Sequence, residues 1–164
     1  MTSDACSICG RPLEEHDRHV RFELPEPVLA VPAEERRART WGNDVLMQVD
    51  GVGAFVRILL PVRLTGGHTL TYGAWLSVHP DRLRHAWEIW RTPAYSGLRL
   101  DGVLANKLPA WPSETYAKPM AAAVLDVDHV PYAVDSPDDF MRRVLREEWP
   151  HDLLSGIAAG DEDR

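Results

Sequence analysis

Along the middle of the chain, apolar residues fall on every second position: Val56, Ile58, Leu60, Val62 and Leu64, opposite Arg57 and Arg63. Successive side chains of a strand point to opposite faces, so this spacing predicts a half-buried β-strand. Before it, Val45, Met47 and Val49 alternate with Gln48 and Asp50; after it, Leu70, Tyr72, Ala74, Leu76 and Val78 repeat the pattern. The breaks, Asp50-Gly51-Val52-Gly53 and Thr65-Gly66-Gly67-His68, carry the glycines that positive-φ turn positions favour. Three antiparallel strands in a meander are expected.

The period then changes. Pro80 suits a first helical position, Asp81 complements the helix dipole, and Leu83, Ala86, Trp87 and Trp90 recur at helical spacing until Thr92-Pro93. This predicts a helix packed on the sheet with both tryptophans in the core. Residues 93–115 carry three prolines and two glycines around one short apolar run, Leu98 to Leu104, and read as a long ordered loop with room for a short strand. Long loops in compact domains are commonly functional, so Tyr95 and Trp111 are the expected binding surface. Further on, "YAKPMAAAVLDVD" reads as a strand ending near Asp126 and "PYAV" at 131–134 as its short partner. Ser136-Pro137-Asp138-Asp139 supplies a cap, a first-turn proline and a third-position acid for a second helix. Its buried face is marked by Phe140, Met141, Val144, Leu145 and Trp149.

The expected fold class is therefore α+β: one domain over residues 1–154, with an antiparallel sheet packed by two main helices. Residues 155–164 are expected as a flexible acidic tail. A hydrophobic share of 45%, six tryptophans and 26% charged residues suit a soluble globular protein. The net charge of −7 argues against phosphate-backbone binding, because Arg36, Arg37 and Arg39 directly follow Glu34 and Glu35 and make a mixed-charge segment. No run of about 18 apolar residues is present and "MTSDAC" has no basic leader, so neither nucleic acid nor membrane is an expected partner and the cytoplasm is the expected compartment.

The sharpest chemistry is "CSICGRPLEEHDRH" at 6–19, which holds the only two cysteines. In a reducing compartment a Cys-x-x-Cys-Gly turn reads as metal-binding or redox-active before it reads as a disulfide. Two thiolates on one tight turn suit zinc, and His16 with His19 would share a face if residues 13–20 formed a helical turn. A structural zinc on Cys6, Cys9, His16 and His19 and a metal-free turn are both open readings. A thioredoxin-like role lacks the βαβ context that would support it. The second cluster is "LDVDHVPY", where Asp126, Asp128 and His129 form either an acid–base set or an ordinary polar turn. His68, His79 and His85 are expected on the surface. No phosphate loop, nucleophile elbow or His-Glu-x-x-His is present.

Five segments in order, "CSICG", "GAFVRILLPVRL", "YGAWLSVHP", "LANKLPAWPSET" and "DHVPYAV", resemble a bacterial family of uncharacterised proteins, domain of unknown function 2199. The likeness spans about residues 5–152. It implies one α+β domain in a bacterial cytosol. His16, displaced by "PLEE", is the counterpart of a histidine that follows the knuckle in the family, and Trp75-Leu76-Ser77 and Asn106 fall on recurring positions. Asn106 thereby joins Tyr95 and Trp111 as a candidate contact, with capping of its own backbone as the other reading. The expected function is a non-enzymatic binding or regulatory module for an unidentified protein or small molecule. The alternative is a small hydrolase or transferase that depends on His129 with Asp126 or Asp128, or on a metal.

Overall fold

A computed structural model describes residues 18–150 and residue 153 of this chain. Strand β1 (Arg18–Arg21) leads into two short helices, α1 (Glu26–Leu29) and α2 (Ala33–Arg39), each entered through a proline, and then into β2 (Thr40–Gly42). Helix α2 buries none of its residues, as its mixed-charge sequence implies. Strands β3 (Leu46–Val49), β4 (Gly53–Leu64) and β5 (His68–Val78) follow and pair antiparallel in chain order. Gly66 and Gly67 both take positive φ, 85° and 82°, in the turn from β4 to β5, where a side chain would strain the backbone.

The register explains the core. Val56 lies opposite Leu76, Ile58 opposite Ala74, Leu60 opposite Tyr72 and Val62 opposite Leu70, so both alternating sets share one face, and all eight are buried. The other face of β4 is covered too, for Phe55 and Arg57 are also buried. The strand expected to be half-buried is thus covered on both faces, and α3 (Pro80–Ile89) packs on β3 and β4.

A 3-10 turn (Pro93–Gly97) connects α3 to β6 (Arg99–Leu104), which pairs with β5 at one end and along its length with β7 (Pro119–Ala123). Strand β8 (Tyr132–Asp135) pairs with β7 and returns to β4 at Leu59–Tyr132. Strands β4, β5, β6, β7 and β8 therefore close on one another as a barrel, which removes their free edges. The 93–115 segment is not the long loop the sequence suggested. Pro93 starts the 3-10 turn and Pro112 a short helix, α4 (Pro112–Thr115), and apart from Leu98 only residues 105–111 are irregular.

Helix α5 (Asp139–Arg146) starts two residues later than expected. The Asp138 carboxylate accepts from Met141 N at 2.9 Å and is the cap, while Ser136 is buried and its hydroxyl accepts from Asp138 N at 3.0 Å. Trp149 is not on the helix but in β9 (Glu148–Trp149), paired parallel to the end of β4. His68, expected on the surface, is buried. The N-terminal knuckle, with Cys6, Cys9 and His16, and the acidic tail lie outside the described residues.

Candidate functional site

The residues expected to form a binding surface lie inside the protein. Tyr95 is 3% exposed, Asn106 0% and Trp111 6%. The Tyr95 hydroxyl donates to the His129 carbonyl at 2.6 Å, and burial pushes its pKa up to about 12. Trp111 packs on Trp149 and Phe140, with centroids 4.9 and 6.3 Å away. Asn106 does not cap its own backbone: its carboxamide accepts from Trp75 N at 2.8 Å and donates to the Leu24 carbonyl at 3.0 Å. Each is held by a different part of the chain: Tyr95 by the His129 turn, Trp111 by Phe140 and Trp149, and Asn106 by β5 and the segment after β1.

Asp126 and His129 do come together. His129 Nδ1 lies 2.9 Å from Asp126 Oδ2, Asp128 N donates to Asp126 Oδ1 at 2.9 Å, and His129 N donates to the Asp126 carbonyl at 3.0 Å. The backbone donation from Asp128, aided by His129, holds the Asp126 carboxyl below the usual carboxylate range. Both side chains are about half exposed, and Asp128 contributes its N–H rather than its carboxylate. This is the geometry of a polar turn with an imidazole oriented by a carboxylate. The adjoining groove, about 330 Å³, is lined by Trp90, Arg91, Tyr95, Val127, Asp128, His129 and Val130, and none of these is a serine or cysteine nucleophile.

The surface feature that sequence periodicity missed runs along the outer side of α3. Leu83 and Ala86 are the residues this helix buries. Trp87, one position beyond Ala86, is 42% exposed and meets Trp41 of β2, itself 46% exposed, with ring centroids 4.6 Å apart. Trp90 is half-buried against Tyr95, again at 4.6 Å. Three grooves follow one another along this line. The first, about 420 Å³, is lined by Trp41, Gln48, Asp50 and Arg84. The second, about 400 Å³, lies between Asn43–Leu46 and Trp87, Trp90 and Arg91. It shares Trp90 and Arg91 with the third, the His129 groove. Together they make one aromatic trough.

The wall facing α3 is firmly held. The Asn43 side chain accepts from Val45 N and Leu46 N at 2.8 and 2.9 Å, and Arg57 Nε donates to the Asp44 carbonyl at 3.0 Å. Arg57 also donates to the Phe22 and Gly73 carbonyls at 2.7 and 2.9 Å and lies 4.3 Å over the Trp75 ring. Burial pushes its pKa down to about 10. This arginine fastens β1, β5 and the trough wall to one another and is a structural group.

Of the four expected zinc ligands, only His19 is described. It is exposed on β1, at an edge of the sheet, and residues 18–20 of the expected helical turn are strand. Among the described residues no group of three or more His, Cys, Asp or Glu is placed to hold a metal, and no helix is long and apolar enough to cross a membrane.

No curated protein matches this chain, and no solved structure does. Residues 5–146 match the family described as uncharacterised proteins conserved in bacteria, DUF2199, and the chain belongs to that family.

Proposed function

We propose that this chain is a non-enzymatic binding module that engages another protein through the trough along α3. The observation that carries the reading is the indole pair Trp41–Trp87, solvent-exposed and continuous with Trp90. Large aromatics on a surface expose area that water solvates poorly, and protein interfaces are enriched in tryptophan and arginine for the contact each offers. The trough is open and elongated, unlike a closed pocket that surrounds a small ligand. A photoreactive residue in place of Arg84, activated in living bacteria, tests this. A discrete adduct that disappears in a Trp41→Ala background, and is not formed from a probe at Asp101, supports the reading. Equal adducts from both positions, or none from Arg84, refute it.

The same proposal includes a structural zinc at the N-terminal knuckle and a cytoplasmic location. Cys6 and Cys9 suit zinc in a reducing compartment, and a site filled by four protein ligands would be closed to substrate. Native mass spectrometry beside a Cys6→Ala, Cys9→Ala variant decides this: one zinc present and lost in the variant supports the knuckle, and no metal in either refutes it.

One observation favours a second reading, a small hydrolase or transferase: the 2.9 Å contact by which Asp126 orients His129 on the wall of a groove. His129 would then act as general base. Turnover of an activated ester that is lost in His129→Ala and kept in Asp128→Asn would support it, and no turnover above the His129→Ala background would refute it.

A further inference from the structure

The trough has a charge pattern of its own. In each groove an arginine on the α3 side is set against an aspartate on the other wall: Arg84 against Asp50, Arg91 against Asp44, and Arg91 again against Asp128. Arg84, Arg91 and the carboxylates of Asp50 and Asp128 have no ion pair or side-chain hydrogen bond among the described residues. The Asp44 carboxylate is tied only to Arg21, at 3.3 Å, with both groups exposed. A stripe of arginines and a stripe of aspartates therefore run side by side, with the indoles between them; Arg39, which donates to the Asp50 carbonyl, is itself paired with Glu35.

This pattern selects among partners. A wholly acidic surface would be repelled by Asp44, Asp50 and Asp128, and a wholly basic one by Arg84 and Arg91. The stripes are satisfied together by a surface that carries the same two stripes in the opposite order, and this chain turned over is such a surface. Rotation by 180° about an axis lying along the trough sets each basic stripe on the acidic stripe of the other copy and brings the indoles to the centre. That is an isologous contact with an aromatic core and a charged rim.

Resting on the reading of the trough as a protein-binding surface, we infer that its partner is a second copy of this chain. In the resulting twofold dimer, Arg84 meets Asp50 of the second copy and Arg91 meets Asp44 and Asp128, over a centre of Trp41, Trp87 and Trp90. Val127, one of the few large apolar residues well exposed among those described, extends the apolar contact at the His129 end.

Sedimentation equilibrium of the full chain tests the inference, with the wild type beside two charge-reversed proteins, Arg84→Glu/Arg91→Glu and Asp50→Arg/Asp128→Arg. All four positions are exposed, and circular dichroism with a urea midpoint verifies that each variant folds. The wild type is expected to dimerise reversibly and to weaken as salt is raised. Each variant alone is expected to associate at least about tenfold more weakly, and an equimolar mixture of the two to regain a dimer. A wild type that stays monomeric at every concentration overturns the second copy as partner, as does a dimer indifferent to both reversals or a mixture of folded variants that stays apart. The crosslinks from Arg84 in cells are read independently: an adduct with another protein beside a monomeric wild type would keep the trough as a binding surface while this inference falls.

Discussion

Asn106 offers the clearest division between a ligand contact and a structural clamp. Strand β5 pairs with β6 only at Leu76–Leu104 and Ser77–Val103, and one residue further along β5 the Trp75 N–H would lack a partner. The Asn106 carboxamide takes that N–H at 2.8 Å, while the neighbouring Ala105 N donates to the Trp75 carbonyl at 2.8 Å, so a side chain extends the ladder by one step. The same amide donates to the Leu24 carbonyl and clips the connection between β1 and α1 to the barrel. Asn106→Ala strips the partners from one buried N–H and one carbonyl. A buried group left unpaired costs about 1–3 kcal/mol, and the small space vacated by the side chain lets a water recover part of this, which sets the expected loss at about 2–4 kcal/mol. Asn106→Asp sharpens the test. Protonated, its carboxyl can still accept from Trp75 N and donate to Leu24 O; ionised, it loses the donor and buries a charge. Its pKa in the folded state must therefore lie above the unfolded value near 4. For an acid raised in this way, stability is near wild type below about pH 4 and falls as pH rises above it. Urea unfolding followed by tryptophan fluorescence at pH 4 and pH 7 reads both variants. A loss under about 0.5 kcal/mol in Asn106→Ala, or an Asn106→Asp deficit that does not change with pH, would refute the clamp.

Three further substitutions probe other contacts. Arg57→Met removes three charge-assisted bonds, each worth about 1.5–3 kcal/mol, and relieves a burial cost of about 3 kcal/mol that corresponds to a pKa near 10; a net loss of about 1.5–6 kcal/mol in chemical denaturation is expected, and a gain in stability would contradict it. Gly102→Ala would drive a Cβ into the Ser77 backbone carbonyl where β6 meets β5, so its thermal midpoint should fall by several degrees, whereas the open Gly97 should tolerate alanine. The Asp126 carboxyl, observed by NMR, should titrate below its ordinary range, and the stability it contributes is present above the unfolded pKa and lost as pH falls through the lowered one. Asp126→Asn should move the His129 ring signals, and ring signals unchanged by that substitution would show that the contact does not form in solution.

The alternation in β4 and β5 announces their strands because each buries one regular set of side chains, and Pro80 announces its helix because a first-turn proline gives up a donor that would be unpaired anyway. Local patterns of that kind do not reveal closure. Strand β1 runs parallel to β5 without a hairpin turn to signal it, and β8 meets β4 at a single residue pair, so the barrel arises from contacts distant in sequence. The candidate site was hidden for a related reason. Helical spacing groups Leu83, Ala86, Trp87 and Trp90 on one broad arc, yet the barrel accepts only Leu83 and Ala86 and leaves Trp87 to meet Trp41 from a strand of three residues. Conversely, the prolines around Asn106 and Trp111 suggested an exposed loop, and it is tertiary hydrogen bonding and the Trp149 contact that bury them. Asp126 and His129 were legible because three residues of separation in a turn suffice to bring them together.

The most direct test of the trough follows the six indole N–H signals of ¹⁵N-labelled protein as it is diluted. If Trp41, Trp87 and Trp90 form the contact between two copies, their signals shift with concentration while those of Trp75, Trp111 and Trp149 stay in place. Shifts confined to Trp111 and Trp149, or six signals that do not change over a concentration range in which dimer appears, would place the contact elsewhere and contradict the assignment.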